Sequence, residues 1–198
     1  MLSDEALAAA VIQGETEKFE ELMRRYQTPV FAIIYRMCRH YQDTEDIAQE
    51  VFLNVYQKMY QFDVERKFSS WLYRIAINTC ITVMRKKNKV VNINFDETYI
   101  QGQLDLAVPD HENPEKLLEN QELRANIKAA LEKLRPTYKV IIILRYQMDF
   151  SNGEIAEILG VTRENVEVRI HRARKALRQI IIKQWSERGQ AHELPASK

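Results

Sequence analysis

Trp71, Arg74, Asn78 and Arg85 recur at three-, four- and seven-residue steps within the stretch FSSWLYRIAINTCITVMRKK, residues 68–87. On a helix that spacing gathers them near one face. Phe68, Trp71 and Tyr73 fall within six residues, and the run closes on Arg85, Lys86 and Lys87. Aromatic rings beside cations and an amide suit a surface that meets unpaired bases: rings stack, cations hold phosphate, and Asn reads a base edge. A core helix with a buried Trp and a basic end that complements its dipole fits the same residues, and they do not separate the two readings.

A second group lies near the C-terminus. Ser151-Asn152-Gly153-Glu154 has the pattern of a capping box. It opens a short helix bearing Ile155, Ala156, Ile158 and Leu159, which Gly160 stops. Thr162 then caps a long helix from Arg163 to about Glu187. A short helix, a Gly turn and a longer helix with a polar start make a helix–turn–helix. In a DNA-binding version Arg163, Glu164, Asn165, Glu167 and Val168 face base edges. Arg169, Arg172, Arg174, Lys175 and Arg178 flank them at phosphates, with His171 on the same surface. Many helix pairs joined by Gly bind nothing; the local arginine cluster favours DNA.

A third group is Asp46, Gln49 and Glu50, whose plain reading is a solvated acidic face. Asp43, Glu45, Asp46 and Glu50 could pose as a metal cluster. They share one helix, however, with no His ligand and no Gly-rich phosphate loop, so an enzyme has little support and neither metal nor cofactor is expected. Cys38 and Cys80, even with His40, are too few for a zinc site; buried thiols are expected rather than a redox pair.

These residues must be positioned by helices. The chain has 198 residues, 45% hydrophobic and 29% charged, with five Gly and five Pro mostly at expected helix ends. That describes an all-α protein, neither disordered nor membranous. No run approaches the ~18 apolar residues of a membrane span, and residues 1–14 lack a signal-peptide layout, so a cytoplasmic chain without direct membrane insertion is expected. The net charge of +1 hides an asymmetry: residues 1–88 carry 12 basic and 12 acidic side chains, residues 89–122 carry 2 and 8, and residues 123–198 carry 15 and 8. A neutral module, an acidic connector and a basic module follow, and the basic end suggests a polyanion partner.

In chain order, Ser3 starts a short helix that stops at Gly14. A second helix runs from about Thr16 to His40, with Phe19, Leu22, Met23, Tyr26, Val30, Ile33, Ile34 and Met37 as its buried stripe and a bend or break at Pro29. Tyr41-Gln42-Asp43 reads as a turn, and Thr44 opens a third helix with its stripe at Ile47, Val51, Phe52, Val55, Tyr56 and Met59. Asp46, Gln49, Glu50, Leu53, Asn54 and Gln57 lie on its other faces. Phe62, in the polar loop that follows, is either a core anchor or a pocket wall. Ser69 and Ser70 can cap the helix that runs to Lys87. VVNINF alternates like a strand without a partner and is read as connector. Asn113-Pro114 starts a helix to about Leu134, Arg135-Pro136 breaks and restarts it, and Val140–Leu144 should be core.

Three segments now carry a resemblance. DTEDIAQEVF, FSSWLYRIAINT and EIAEILGVTRENVEVRIHRARKAL, in that order and spacing, resemble bacterial RNA polymerase sigma factors of the extracytoplasmic-function (ECF) group of the sigma-70 family. The resemblance covers about residues 15–88 and 115–180. It implies two small helical domains joined by an extended acidic linker. Residues 1–88 form a region 2-like domain, 89–120 the linker, 121–188 a region 4-like helix–turn–helix domain, and 189–198 a flexible tail. Asp46, Gln49 and Glu50 then dock on the beta-prime clamp of core RNA polymerase, with the beta flap as a further partner surface. Phe62, Phe68, Trp71, Arg74, Asn78, Arg85, Lys86 and Lys87 meet the minus-ten element, and the loop Phe62–Phe68 receives a flipped base. Arg163, Glu164, Asn165, Glu167, Val168, Arg169, His171, Arg172 and Arg174 meet the minus-thirty-five element of promoter DNA. An anti-sigma factor is the implied antagonist. Glu167, Val168 and Asn152-Gly153 depart from the residue types usual in relatives, which leaves the preferred upstream sequence open. The alternative from another class is a stand-alone helix–turn–helix regulator, which needs neither polymerase docking nor a melting segment.

Overall fold

The computed structural model describes residues 2–87 and 114–187. Its α-helices are α1 (Asp4–Ile12), α2 (Glu17–Cys38), α3 (Tyr41–Lys58), α4 (Phe68–Lys87), α5 (Pro114–Lys133), α6 (Pro136–Ile142), α7 (Asn152–Leu159) and α8 (Arg163–Glu187). Among the described residues there is no strand: the fold is all-α, with a helical half on either side of the connector. VVNINF, the connector up to residue 113 and the tail 189–198 lie outside the described residues. Helix α5 starts at Pro114, inside the interval 89–120 assigned to the linker.

The first half packs α1 to α4 around Leu7, Leu22, Ile34, Val51, Val55, Phe68 and Leu72, none more than 1% exposed. The α2 stripe is buried at Leu22, Val30, Ile33, Ile34 and Met37, with Phe19, Met23 and Tyr26 packed at its edge. Pro29 does not break α2. It removes one backbone donor, but buried residues on both sides of it hold the helix to the core.

Helix α3 starts earlier than the sequence suggests. His40 is extended, and its Nδ1 accepts from the Asp43 backbone N–H at 3.4 Å. Thr44, fully buried, donates its hydroxyl to the His40 carbonyl at 2.7 Å. Tyr41-Gln42-Asp43 is therefore the first helical turn, because an imidazole takes the capping role that hydroxyl and carboxylate side chains usually fill. The α3 stripe holds except at Tyr56, which is 46% exposed with its ring against Phe19.

Helix α4 has the expected bounds but a different cap. Ser69 and Ser70 lie inside its first turn, and the Phe68 N–H donates instead to the Glu5 carboxylate of α1 at 3.1 Å. Cys38 and Cys80 place their Sγ atoms 3.5 Å apart between α2 and α4. The contact with Cys38, and then burial, push the Cys80 thiol well above its ordinary range.

In the second half, α6 is the central element, with Val140–Leu144 buried as expected. Its last turn widens over Ile143–Gln147, where the Met148 N–H reaches back to the Ile143 carbonyl at 3.0 Å. The capping box at Ser151 forms in full, Gly160 closes α7 in the left-handed conformation, and the Thr162 hydroxyl accepts from the Asn165 N–H at 3.3 Å. Val166, Ala173 and Leu177 anchor α8 to the core.

The halves touch: α4 lies against α6 and α7, and α2 against α6. Lys139, only 3% exposed, crosses this seam, its Nζ donating to the Met37 carbonyl at 2.6 Å. Burial holds its ammonium below the usual lysine range. No helix among the described residues is long and apolar enough to cross a membrane.

Candidate nucleic-acid interface

Three surfaces carry the residues singled out above. The first lies on α3, where Asp46, Gln49 and Glu50 are all exposed. Leu53, three residues after Glu50, continues the same helical face and is 62% exposed. The exposed face of α3 therefore combines two carboxylates, an amide and one apolar side chain. Sequence reasoning grouped Leu53 with the polar positions; its apolar type at i+7 from Asp46 was the available signal.

The second surface is the loop before α4. Phe62 and Phe68 sit in the core at 6% and 0% exposure. Their rings meet edge to face at 5.3 Å, and both meet the half-buried Trp71, at 5.2 and 5.8 Å. These phenylalanines therefore clamp the two ends of an exposed tip, Asp63 to Lys67. Within it the Asp63 carboxylate accepts from the Glu65 N–H at 3.1 Å and pairs with Arg66 at 3.3 Å. Tyr60, just before the loop, is 74% exposed, and its hydroxyl accepts from Gln61 at 2.8 Å. It is an open ring for stacking, and sequence reasoning missed it. A lone tyrosine past the end of a stripe carries no periodic signal.

Along α4, Asn78, Arg85 and Lys86 are exposed and free to reach a strand, whereas Trp71 and Arg74 are half-buried. Arg74 is turned towards α7, where its Nε donates to the Ile158 carbonyl at 3.1 Å. Lys87 closes the helix; its side chain lies outside the described residues. The structure thus brings Phe62, Phe68 and Trp71 into one cluster and sets Arg85 and Lys86 apart at the far end of the helix.

The third surface is the start of α8. Arg163, Glu164, Asn165, Glu167, Val168, Arg169, His171 and Arg172 are exposed, and Arg174 is half-buried. Hydrogen bonding at the helix N-terminus, first from its own backbone N–H and then from Thr162, holds the Glu164 carboxyl below the usual range. The two departures noted in the sequence belong together: Asn152 Nδ2 donates to Glu167 Oε1 at 3.4 Å. Glu167 is thereby tied back to the first turn of α7 rather than pointing freely outward. Among the described residues, no three His, Cys, Asp or Glu side chains come together as a metal site.

Residues 22–90 match the model for sigma-70 region 2, and residues 124–177 the model for sigma-70 region 4. The ECF RNA polymerase sigma factor SigW of Bacillus subtilis is 36% identical over 170 residues, which cover 85% of this chain and 91% of that one. The ECF RNA polymerase sigma-E factor of Escherichia coli is 32% identical over 181 residues, covering 89% and 93%. Among solved structures, CnrH in complex with the cytosolic domain of CnrY has the same fold, with a TM-score of 0.62 at 24% identity over 91% of this chain and 97% of that one. So does the sigma factor RpoE of Bartonella quintana in complex with the anti-sigma factor NepR, at 0.55 and 21% over 83% and 97%. With both sigma regions matched in order, and relatives aligned over nine-tenths of their own length, the chain belongs to the ECF group of RNA polymerase sigma factors.

Proposed function

We propose that the α3 face of Asp46, Gln49, Glu50 and Leu53 docks on the beta-prime clamp of core RNA polymerase. The loop 62–68 with α4 captures the minus-ten element, and the start of α8 reads the minus-thirty-five element. The observation that carries this is the loop tip Asp63–Lys67, clamped at both ends by buried phenylalanines and flanked by Tyr60 and Trp71. A tip held that firmly has its ordering entropy settled before DNA arrives, which is what a receptor for an extruded base needs.

Taking a base out of the stack costs a few kcal/mol, and stacking on an aromatic ring returns about 1–3 kcal/mol. Binding the extruded base therefore shifts the population towards melted promoter without ATP, and no covalent bond is made or broken by this chain. Phe62 and Phe68 act as the buried supports of that receptor, while Tyr60, Trp71 and Asn78 present groups to the strand. Arg85 and Lys86 add phosphate contacts at the upstream edge. On α8, Arg163, Asn165 and Val168 face base edges, and Arg169 and Arg172 the backbone. The beta flap of the polymerase holds the C-terminal half, the site of action is the cytoplasm, and an anti-sigma protein is the antagonist.

Run-off transcription with bacterial core polymerase on a promoter library, with and without this chain, tests the reading. The expected result is transcripts from a defined promoter subset only when the chain is added. Tight duplex binding by the chain alone, with no core binding and no stimulation, would establish a stand-alone regulator instead.

A further inference from the structure

The chain has two cysteines, Cys38 and Cys80, and the proposed function uses neither. Buried thiols are the expectation from sequence; the structure makes them a facing pair with one side open. Cys38 is the last residue of α2, Cys80 lies in the interior of α4, and their Sγ atoms are 3.5 Å apart. Cys80 is fully buried, whereas Cys38 is half-buried. Arg39, directly after Cys38, takes the left-handed conformation at φ 59° and ends the helix. The sulfur that a small reagent reaches therefore sits at a helix end, and its partner is held in the middle of another helix. Lys139, buried on α6, donates through Nζ to the carbonyl of Met37, the residue before Cys38, at 2.6 Å. Its ammonium acts on both sulfurs and offsets the α2 dipole, which disfavours an anion at that end. Contact with Cys38, and then burial, keep the proton on Cys80. A partly exposed thiol beside a cation, backed by a protonated second thiol, is the arrangement of an attacking and a resolving cysteine.

We propose that Cys38 and Cys80 form a reversible redox couple, oxidised by hydroperoxides to a disulfide that ties the end of α2 to α4. With hydrogen peroxide, the Cys38 thiolate attacks one oxygen. An S–O bond forms, the O–O bond breaks, and the departing oxygen leaves as water with the proton that Cys38 gave up. The Cys80 sulfur then attacks Cys38 Sγ. The S–S bond forms, the S–O bond breaks, and the hydroxyl leaves as a second water with the Cys80 proton. The pair loses two electrons and two protons, and one peroxide is reduced to two waters. A small dithiol restores both thiols by exchange. Bonding requires the sulfurs to close from 3.5 Å to about 2 Å, a movement that falls to the last turn of α2 because the helix ends there. In a reducing compartment such a pair rests as the dithiol and is oxidised only transiently. The ring closed by the bridge, residues 38–80, contains all of α3 and the loop 62–68. Closing it restricts the unfolded chain, so the oxidised form is the more stable one.

The test uses the full chain, reduced and then separated from reductant, with hydrogen peroxide as the probe. Maleimide labelling under denaturing conditions, intact mass and melting temperature are read after exposure. The expected result is loss of both labelled thiols, a mass lower by two hydrogens and a Cys38–Cys80 crosslink in the peptide map, all reversed by dithiothreitol. The oxidised chain should melt higher by about 10 °C or more, from the loop that the bridge closes. Met84, whose Sδ lies 3.9 Å from Cys80 Sγ, is the neighbouring competitor for oxidant. Its sulfoxide adds an oxygen and leaves both thiols to react with maleimide, so mass and label together separate the two products. Cys80→Ser should stop at a sulfenic acid on Cys38, which dimedone traps, whereas Cys38→Ser should take no dimedone at Cys80. A wild type that keeps both thiols through exposure sufficient to convert its methionines to sulfoxide overturns the couple. Disulfide-linked dimers in place of an internal bridge overturn it too, as does an oxidised chain that melts no higher than the reduced one.

Discussion

The backbone N–H of Phe68 donates to the side-chain carboxylate of Glu5 at 3.1 Å, so α1 supplies the N-terminal cap of α4, the helix proposed to carry the minus-ten face. The contact joins residues far apart in sequence, and it fixes where the loop 62–68 ends. Glu5→Ala should lower stability by about 1 kcal/mol, the usual worth of a cap. For a domain of this size that is a fall of about 4–8 °C in melting temperature by calorimetry. An unchanged midpoint would mean that water replaces the carboxylate at no cost.

Tyr60 offers the most exposed large ring in the described chain, beside a loop whose own phenylalanines are buried. Tyr60→Ala should weaken capture of single-stranded minus-ten DNA by about 1–3 kcal/mol, roughly one to two orders of magnitude in affinity. Circular dichroism should remain that of the parent. Fluorescence anisotropy with a labelled single strand reads the effect, and equal affinity would remove Tyr60 from the interface.

Asp46, Gln49 and Glu50 are exposed on α3. Replacing all three with Ala should abolish co-elution with core polymerase and run-off activity while leaving the melting temperature within about 2 °C, since surface changes rarely exceed ±0.5 kcal/mol. Leu53→Ser should weaken core binding in the same assay without further loss of stability. Retained core binding by the triple variant would move the docking surface off α3.

On α8 the roles divide by chemistry. Arg169→Ala should weaken binding to all upstream duplexes alike and reduce the slope of affinity against salt by about 1. Glu167→Ala releases Asn152 from its 3.4 Å contact and should change base preference with little change in that slope. A selection from randomised duplexes, repeated at several salt concentrations, distinguishes the two outcomes.

The capping box carries a pH dependence. Backbone hydrogen bonding from Ser151, then its hydroxyl, hold the Glu154 carboxyl below its ordinary range. A carboxyl with a depressed folded-state pKa binds fewer protons folded than unfolded. Its stabilisation is therefore present above the ordinary carboxylate pKa and lost as pH falls through the folded one. Glu154→Gln should accordingly flatten the acid limb of stability against pH, in chemical denaturation followed across that window. An acid limb identical to the parent's would show that the exposed carboxylate is fully screened.

Much of this protein is local. The bounds of α4 and α8, the capping box at Ser151, the Gly160 stop and the buried run at Val140–Leu144 all follow from period, caps and breakers, and neighbouring residues decide those within a few positions. The family resemblance is legible for the same reason, because it rests on contiguous segments. Where sequence reasoning went astray, a distant or unusual partner had intervened. His40 caps α3 with an imidazole, Glu5 caps α4 from another helix, and core contacts on both flanks carry α2 past Pro29. Phe62 could be anchor or pocket wall until the rings of Phe68 and Trp71 closed around it. Asn152 and Glu167 looked like two separate oddities until the turn brought them together. Above all, nothing in the sequence pairs Arg74 with the carbonyls of α7 or Lys139 with that of Met37, since those acceptors are backbone atoms that every residue possesses. Helices and caps are set by side chains near one another in the chain; which face meets which is set by the packing of surfaces that only the folded chain brings into contact.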